Sequence, residues 1–474
     1  MSAAETDSRR LRRRWGVGIF VVAITICAIY FLSPPTDLTP VGKPTNAITP
    51  SEPNNVNEDV FSNEEFVSRV RIYQPPEQMG PPNPFRVQPT DYVGAQACAE
   101  CHKKRFEDFT ETAHHHSSAF ANKTTIMASF AEGKNEMQSV EPTLRFHMDA
   151  REDGFYQTAI QDLDGHRIEN SQRIAVVTGS GKIGQTYLYA TGPNLHQLPL
   201  SYFRSVDAWV HSPGFQDNRA YFARRVEADC LNCHATYYNS DVAPKQIGTP
   251  EHIILGISCE RCHGGGSQHI AFHRQHPEEK HGRHIIHPAT LPQQRQLDIC
   301  GQCHSGDPVK YLKPPFSHRP GDALEEHYVL KALDARIKLG VHTNNQSARL
   351  SSSACFQQSE KMVCTTCHNP HVLERGNKRV FSQRCQQCHE VQACGVANEL
   401  GTKIGENCID CHLPSDPDLE TPIALFNGEY VYPNIRDHAI AVYPELSRRI
   451  AKEVFKSDTS GLNSELPRDP RPED

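Results

Sequence analysis

The chain contains the five-residue sequence Cys-x-x-Cys-His seven times, and no other feature constrains its fold as strongly. The seven copies use 14 of its 17 Cys and seven of its 26 His. Motifs 1 to 7 are, in chain order, Cys98/Cys101/His102, Cys230/Cys233/His234, Cys259/Cys262/His263, Cys300/Cys303/His304, Cys364/Cys367/His368, Cys385/Cys388/His389 and Cys408/Cys411/His412. This pattern is typical of c-type haem attachment: two thiols form thioethers to one porphyrin, and the adjacent imidazole binds its iron. The sequence therefore predicts seven covalently bound haem c groups.

Other uses of paired cysteines fit this pattern less well. A thioredoxin-type Cys-x-x-Cys occurs once beside a βαβ unit, and zinc sites do not need a His directly after each pair. A disulfide framework does not repeat a fixed five-residue sequence. Three cysteines lie outside the motifs: Cys27, and Cys355 and Cys394, which either form a disulfide or stay free thiols.

Apolar side chains are sparse for a chain of 474 residues. The hydrophobic set makes up 37%, or about 40% with Gly counted in place of Tyr, against ~45–50% in ordinary globular proteins. Seven porphyrins would replace side chains as the core. We therefore expect a mainly α, haem-packed domain with much irregular structure over residues 91–444. A net charge of −7 argues against nucleic acid as a partner.

The N-terminus predicts a membrane anchor. A basic tail, residues 1–14, precedes the uncharged stretch Trp15–Leu32, which is just long enough to cross a ~30 Å hydrocarbon layer as a helix. The alternative, a cleaved signal peptide, would end in small residues, whereas this stretch ends in Tyr30, Phe31 and Leu32. The positive charges before the helix predict a single-pass protein of the inner (cytoplasmic) membrane, with its haem domain on the periplasmic side.

Two polar segments flank the predicted domain. Residues 33–90 carry 12 of the 34 Pro and no Cys, which is typical of an extended tether. Residues 445–474 form a polar C-terminal tail.

The histidines outside the motifs supply candidates for the second axial ligand of each iron. His269 follows His263 by six residues and His371 follows His368 by three, so neither reaches the far face of its own porphyrin easily, and each would ligate a neighbouring haem. The further candidates are His114, His115, His287, His327, His342 and His438, with His196 and His318 in reserve. The run His273, His276, His281 and His284 fits either a metal-binding helix face or a solvated loop.

A long segment without a haem motif, residues 103–229, separates motifs 1 and 2. A helix is expected over residues 103–121, and residues 173–192 predict two β-rich runs around a Gly-rich turn. We therefore expect a small β-hairpin insert at about residues 155–210. Its Gly179 to Gly184 stretch fits GxGxxG, but the strand-like QTYLYA follows, and the P-loop lysine position is Gln185. No nucleotide binding is expected.

Several further short sequences occur in a fixed order between Tyr92 and Pro444. They are DYVGAQACAECH with a following AHHHSS, LPLSYF, SCERCHGGGSQH, CGQCHSG, RPGD, SACFQQSEKMVCTTCHNPH, NCIDCHLP and RDHAI. In these pieces the chain resembles the multihaem cytochromes c related to the tetrahaem electron acceptor of hydroxylamine oxidoreductase. The resemblance implies periplasmic electron transfer, with distal ligands at His114 or His115, His269, His371 and His438. Relatives often append tetratricopeptide repeats, whereas 30 mostly polar residues follow Pro444 in this sequence, and no motif is a Cys-x-x-Cys-Lys variant.

Three functions remain open from the sequence. The first is an electron carrier with bis-His haems, working between redox protein partners or from a membrane electron donor. The second is a haem-dependent oxidoreductase, in which one iron lacks a distal His and acts on a small nitrogen or sulfur compound. The third, a quinol dehydrogenase seated against the anchor, is disfavoured by the long tether.

Overall fold

The computed structural model of the protein describes residues 64–74, 91–192, 194–239, 252–306, 308–331, 341–425 and 428–459. The basic tail, the predicted anchor and most of the tether lie outside these residues. Within them, no helix is both long enough and apolar enough to cross a bilayer. The described residues therefore do not contain the transmembrane helix that was part of the predicted fold.

The helices are short, and most of them lie beside haem motifs. The α-helices are α1 (Glu64–Arg69), α2 (Ala95–Ala99), α3 (Lys103–Thr110), α4 (Ala228–Leu231), α5 (Cys259–His263), α6 (Ser267–Gln275), α7 (Gln293–His304), α8 (Gln346–Ser351), α9 (Ala354–Gln357), α10 (Cys364–Cys367), α11 (Lys378–Cys385), α12 (Ala397–Leu400), α13 (Ile409–His412) and α14 (Pro444–Thr459). Single 3₁₀ turns occur at His115–Ser117, Pro288–Thr290, Leu324–Glu326, Thr343–Asn345, Val391–Ala393 and Thr402–Glu406.

Strands contribute much more than predicted. They are β1 (Ile72–Tyr73), β2 (Ser118–Phe120), β3 (Glu136–Gln138), β4 (Leu144–Arg151), β5 (Gly154–Leu163), β6 (His166–Arg173), β7 (Val176–Thr178), β8 (Gly184–Thr191), β9 (Asn194–Phe203), β10 (Ala208–His211), β11 (Ala220–Tyr221), β12 (Ala235–Tyr238), β13 (Ile253–Leu255), β14 (Pro308–Tyr311), β15 (Tyr328–Leu330), β16 (Ser415–Pro417), β17 (Ile423–Ala424), β18 (Tyr430–Val431) and β19 (Asn434–Arg436). The prediction of a mainly α fold with little sheet is therefore wrong.

Nine of these strands form two antiparallel sheets between motifs 1 and 2. One sheet has the order β3-β4-β5-β6 and the other β10-β9-β8-β7-β2. The turn between β5 and β6 contains Asp164 and Gly165, both with positive φ (52° and 81°), the backbone that a two-residue hairpin of the Asp-Gly type requires. The predicted hairpin exists as β7 and β8, but it is one part of a larger β structure.

The two sheets pack face to face around a shared core. On β4, Leu144, Phe146 and Met148 are buried while the residues between them are only partly so, as alternation along a strand requires. They pack in one cluster with Leu198 and Leu200 of β9 in the other sheet. We call these nine strands, β2–β10, the β-sandwich. The alternating pattern of residues 144–148, together with the β5 sequence, was the signal that the mainly α prediction overlooked.

The helix predicted over residues 103–121 ends early. Helix α3 ends at Thr110, a 3₁₀ turn follows, and Ser118 already begins β2, which pairs with β7. Through this pairing, the segment just after motif 1 becomes the edge of a sheet. The β7–β8 turn that follows lines the haem-motif cavity described below.

Candidate haem-binding site

Each motif lies at a helical turn that directs both thiols and the imidazole to one side. In motif 1, the His102 N–H donates to the Cys98 carbonyl at 2.9 Å. The same bond joins the last and first residues of motifs 5, 6 and 7, at 2.9, 3.0 and 3.1 Å, and motifs 3 and 4 lie within α5 and at the end of α7. Residues i, i+3 and i+4 share one face of a helix. This arrangement suits one porphyrin clasped by two cysteines and the following histidine.

Five of the motifs line a single cavity of about 2000 Å³. Its wall contains cysteines and the histidine of motifs 1 to 5, and the turn from Gly179 to Gly184. Five candidate ligands also line it: His114, His269, His287, His342 and His371. At Gly179, φ is +94° and an added Cβ would lie 2.7 Å from the Gly184 carbonyl oxygen, so the turn needs glycine there. Motifs that lie far apart in the sequence therefore open into one space.

Four motif histidines each lie opposite a second imidazole contributed by another part of the chain. The ring centroids are 6.3 Å apart for His102 and His269, 5.9 Å for His263 and His371, 6.4 Å for His304 and His114, and 5.9 Å for His368 and His438. Two imidazoles on opposite faces of one metal would have centroids roughly 6 Å apart, because each metal–nitrogen bond is about 2 Å and each centroid lies about 1 Å behind its nitrogen. The observed gaps match that separation.

Hydrogen bonds fix the orientation of several of these rings. The Nδ1 of His263 lies 2.9 Å from the Ile286 carbonyl oxygen, and that of His304 lies 2.9 Å from the Thr343 carbonyl oxygen. The Nδ1 of His269 lies 2.7 Å from the Arg283 carbonyl oxygen. The motif 7 histidine, His412, is held in the same way, 2.8 Å from the Ala441 carbonyl oxygen. A carbonyl oxygen only accepts, so each Nδ1 carries the hydrogen and Nε2 keeps its lone pair. An imidazole ligand to a metal is held in the same way.

Burial favours the neutral form of five of the eight paired rings. It lowers the pKa of His114 and of His438 to about 4, and it also lowers the pKa of His263, His368 and His371. Only the neutral imidazole can coordinate a metal. Both the protonation and the orientation of these side chains therefore fit axial ligation of iron.

Comparisons with known proteins agree with this chemistry. A protein-family model for cytochrome c554 and c-prime matches residues 97–163 and 211–264. Two curated proteins are similar: the multihaem cytochrome MtrA of Shewanella baltica, 23% identical over 175 residues, and the dissimilatory sulfite reductase MccA of Wolinella succinogenes, 19% identical over 393 residues. The match to MtrA covers 34% of this chain and 48% of MtrA. The match to MccA covers 69% of this chain and 51% of MccA. The chain thus spans about half the length of the curated relatives it matches.

Two solved structures also match. The outer cell wall cytochrome OcwA has a TM-score of 0.46 at 16% identity, covering 76% of this chain and 82% of that one. The undecahaem cytochrome from the S-layer of Carboxydothermus ferrireducens has a TM-score of 0.33 at 17% identity, covering 69% and 52%. In sequence, this chain is similar to multihaem c-type cytochromes. None of these four proteins is named as a partner of hydroxylamine oxidoreductase, so that narrower resemblance remains a prediction.

Three of the seven motif histidines differ from the other four. Within the part of the chain that the structure describes, no second imidazole is paired with His234, His389 or His412. Of these three, only His234 lines the cavity. Its Nδ1 faces the Ser117 carbonyl at 3.4 Å, and the same carbonyl accepts from the Gly179 N–H at 2.7 Å. The turn at Gly179 is therefore fastened beside the motif 2 histidine.

Motifs 6 and 7 lie outside the cavity, and nothing in the structure tests haem attachment at Cys388. Cys388 is exposed, and it does not line the cavity. The reason is local, because helix α11 ends at Cys385 and Cys388 lies in the turn that follows. In this turn the Cys388 N–H donates to the Cys385 carbonyl at 3.1 Å, and the side chain is left at the surface. Haem attachment at Cys388 therefore stays a prediction that rests on its motif alone.

The remaining candidate ligands have other neighbours. His115 lies edge-on to Phe109 and His116, and His287 is exposed. The Nδ1 of buried His327 lies 2.9 Å from Ser317 Oγ, and Nε2 of His342 lies 3.1 Å from Thr421 Oγ1. The structure does not pair any of these four with a motif histidine.

The reserve histidines also lie away from the imidazole pairs. His196 stacks on Tyr189, and His318 lies edge-on to His327. Among the described residues, no group of three or more His, Cys, Asp or Glu side chains has the geometry of a metal site, so the run His273–His284 forms none there. Cys355 and Cys394 are both free thiols.

The motifs themselves are in contact. The thiols of Cys98 and Cys259 touch, as do those of Cys233 and Cys303, Cys300 and Cys364, and Cys385 and Cys408. These contacts join motif 1 to 3, 2 to 4, 4 to 5 and 6 to 7. Haems attached to these cysteines would therefore be held by neighbouring motifs.

The sequence interpretation overlooked a carboxylate that holds two motifs together. Glu260, 2% exposed, lies inside motif 3. It accepts hydrogen bonds from the N–H groups of Val93 (2.8 Å) and Gly94 (2.8 Å) before motif 1, and of Gly266 (2.9 Å) before His269. Glu260 therefore connects the start of motif 1 to the segment that carries its partner imidazole. An acidic residue between the two cysteines was the available signal.

Proposed function

We propose that this cytochrome binds seven haem c groups and transfers single electrons through them. The observation that carries the proposal is the set of four imidazole pairs across gaps of 5.9–6.4 Å. Haem c supplies an iron that is reduced and reoxidised by one electron without a proton donor or nucleophile. The residues of the chain have to fix each iron, set its potential and keep neighbouring sites close.

The imidazole pairs support a continuous route because each pair joins two motifs. His269, carried by the segment after motif 3, faces His102 of motif 1. His371, after motif 5, faces His263 of motif 3, and His114, after motif 1, faces His304 of motif 4. A haem held between such partners is fixed by two segments of chain, so its distance from the next haem is fixed as well. Together with the thiol contacts, this supports electron passage among motifs 1, 3, 4 and 5, with motif 2 beside motif 4.

The partners follow from the same chemistry. A carrier of single electrons works between a donor and an acceptor, and we propose redox proteins or a membrane electron donor in these roles. The basic tail and the apolar stretch Trp15–Leu32 support attachment to the cytoplasmic membrane, with the haem domain on its outer side. Fractionation of cells that produce the full chain, with and without residues 1–32, tests this: only the full chain should sediment with the membranes.

The experiment for the function combines haem counting with a redox titration. The mass of the mature protein should equal that of the polypeptide plus seven haems, and electron paramagnetic resonance should show low-spin ferric iron for at least four of them. Stepwise potentiometric reduction should then take up one electron per haem. A protein without covalent haem, or one whose haems are all high-spin, would contradict the proposal.

A second function is favoured by one observation. His234 lines the cavity, but no second imidazole among the described residues is paired with it. An iron bound there with one open position could take a small nitrogen or sulfur compound, as in a haem-dependent oxidoreductase. A high-spin ferric signal that disappears on addition of nitrite or sulfite, and that is missing from a variant with Cys230→Ala and Cys233→Ala, which cannot attach this haem, would support this second function over simple transfer.

A further inference from the structure

Arg261 is a buried cation with no counter-ion among the described residues. It lies between the two cysteines of motif 3 and is 3% exposed. No carboxylate in the described part of the chain forms an ion pair with it, although other arginines of the domain, such as Arg349 with Asp437, have such pairs. Burying a charge without a partner is costly. A guanidinium, which stays protonated in proteins, is therefore a fixed positive charge at this point.

The hydrogen bonds of Arg261 leave half of the guanidinium unused. Its Nη2 donates to the carbonyl oxygen of Asn232 at 3.0 Å and to Asn232 Oδ1 at 2.6 Å. Within the described part of the chain, Nε and Nη1 are buried without an acceptor. The group packs over the Phe316 ring, 5.2 Å from its centroid. Neutral groups therefore hold the cation in place without cancelling its charge.

Three motifs meet at this cation. Asn232 lies inside motif 2, between Cys230 and Cys233. The Cys303 sulfur of motif 4 lies 3.7 Å from the Asn232 carbonyl oxygen and touches both Arg261 and Cys233. Arg261 itself precedes Cys262 of motif 3, and it lines the haem-motif cavity. The attachment edges of three haems therefore surround one guanidinium.

We propose that Arg261 sets the reduction potentials of the haems at motifs 2, 3 and 4. Reduction adds one negative charge to each iron, so a nearby fixed positive charge stabilises the reduced form. The effect is large because the cavity wall is buried and its effective dielectric constant is low. The three haems around Arg261 form a junction that is easier to reduce than the same haems would be without it. This inference rests on the proposed function only in requiring haems at these motifs.

The test is a potentiometric titration of the full, haem-loaded protein and its variants. In Arg261→Gln, three midpoints should become more negative by about 59 mV, which corresponds to a tenfold change in a one-electron equilibrium. Arg261→Lys keeps the charge and should keep the midpoints. The matched control is Arg145→Gln, which removes one cation from the β-sandwich surface, where Arg145 pairs with Asp162, and should move no midpoint to this extent.

A second variant tests the proposal if Arg261→Gln does not mature into a haem-loaded protein. Asn232→Asp keeps the size of the side chain and places a carboxylate against Nη2, so it should lower the same three midpoints. The inference is overturned if both variants carry the full number of haems and their midpoints move no more than those of Arg145→Gln. It is also overturned if Arg261→Gln loses haem while Asn232→Asp leaves haem number and midpoints unchanged. Either result would leave haem binding and electron transfer intact.

Discussion

The β-sandwich and the haem-motif region lie in the same domain but are held together in different ways. In the sandwich, the strands are up to ten residues long, and their apolar side chains, such as Leu144, Phe146 and Leu198, are fully buried against each other. Around motifs 1 to 5, the helices that carry the motifs have four to twelve residues and surround a cavity of about 2000 Å³. The comparison indicates that side chains alone provide the core of the first region, whereas porphyrins complete the core of the second.

Preventing haem attachment should produce the largest difference in stability between the two regions. In a host without the attachment machinery, we expect the haem-motif helices to lose their structure, because isolated helices shorter than about 12 residues are marginal in water. The β-sandwich should remain folded around its own core. Hydrogen exchange read by mass spectrometry checks this: amides of β4, β5, β8 and β9 should stay protected while those of α5, α7 and α10 exchange rapidly. Equal loss of protection in both regions would refute the comparison.

Removing one paired imidazole should change one haem and leave the β-sandwich unaffected. In His269→Ala, the iron held by His102 would lose the opposite imidazole, whose ring centroid lies 6.3 Å from that of His102, so one haem equivalent should change from low-spin to high-spin. Electron paramagnetic resonance of the oxidised protein measures this. The matched control is His281→Ala, since the His281 side chain is 90% exposed and does not line the cavity. High-spin iron in both variants, or in neither, would contradict the assignment of His269.

A cavity in the β-sandwich should have the opposite effect. Leu198 is completely buried in the cluster between the sheets, and Leu198→Ala should lower the free energy of unfolding of the sandwich by about 2–5 kcal/mol. The haem spectrum and midpoints should not change. Val140→Ala, at a side chain that is 54% exposed, should cost well under about 1 kcal/mol by comparison. Chemical denaturation, followed by tryptophan fluorescence and by haem absorbance in the same sample, checks whether the two signals separate.

The sequence was informative where the chemistry is local. Each of the seven Cys-x-x-Cys-His motifs can be recognised directly in the sequence. The short spacing of His269 and His371 from the preceding motif already indicated that neither ring ligates the haem of that motif. The partner of a ring is different, because it depends on the path of the chain. His438 meets His368 although motifs 6 and 7 lie between them in the sequence. It is held there by the ion pair of Arg349 with Asp437 and by the Ser353 hydroxyl, which donates to the His438 carbonyl at 2.9 Å.

For the β-sandwich, the sequence interpretation failed although the local pattern was present. Its alternating strands were present in the sequence, at residues 144–148 for example, but the count of haem motifs suggested that porphyrins replace the core throughout the domain. That inference holds for the region of the motifs, where the cavity lies. It fails for the long segment between motifs 1 and 2, which has no motif of its own. That segment has to bury its own apolar side chains and does so between two sheets.

The smallest effect that still separates the two regions is expected at Glu260. Its carboxylate accepts three backbone N–H groups, from Val93, Gly94 and Gly266. In Glu260→Gln, one oxygen becomes an NH₂ group that cannot accept, so at least one buried N–H loses its partner, at a cost of about 1.5–3 kcal/mol for a hydrogen bond to a charged group. Because Gly266 directly precedes α6, which carries His269, the covalently attached haem of motif 1 should lose His269 as a ligand and become high-spin at lower denaturant concentration, while the β-sandwich unfolds as before. The matched control is Glu136→Gln on β3, whose side chain is 71% exposed and faces His147 at 3.4 Å, and which should change neither transition. Equal shifts in both variants would mean that Glu260 does not tie motif 1 to the segment of its partner ring.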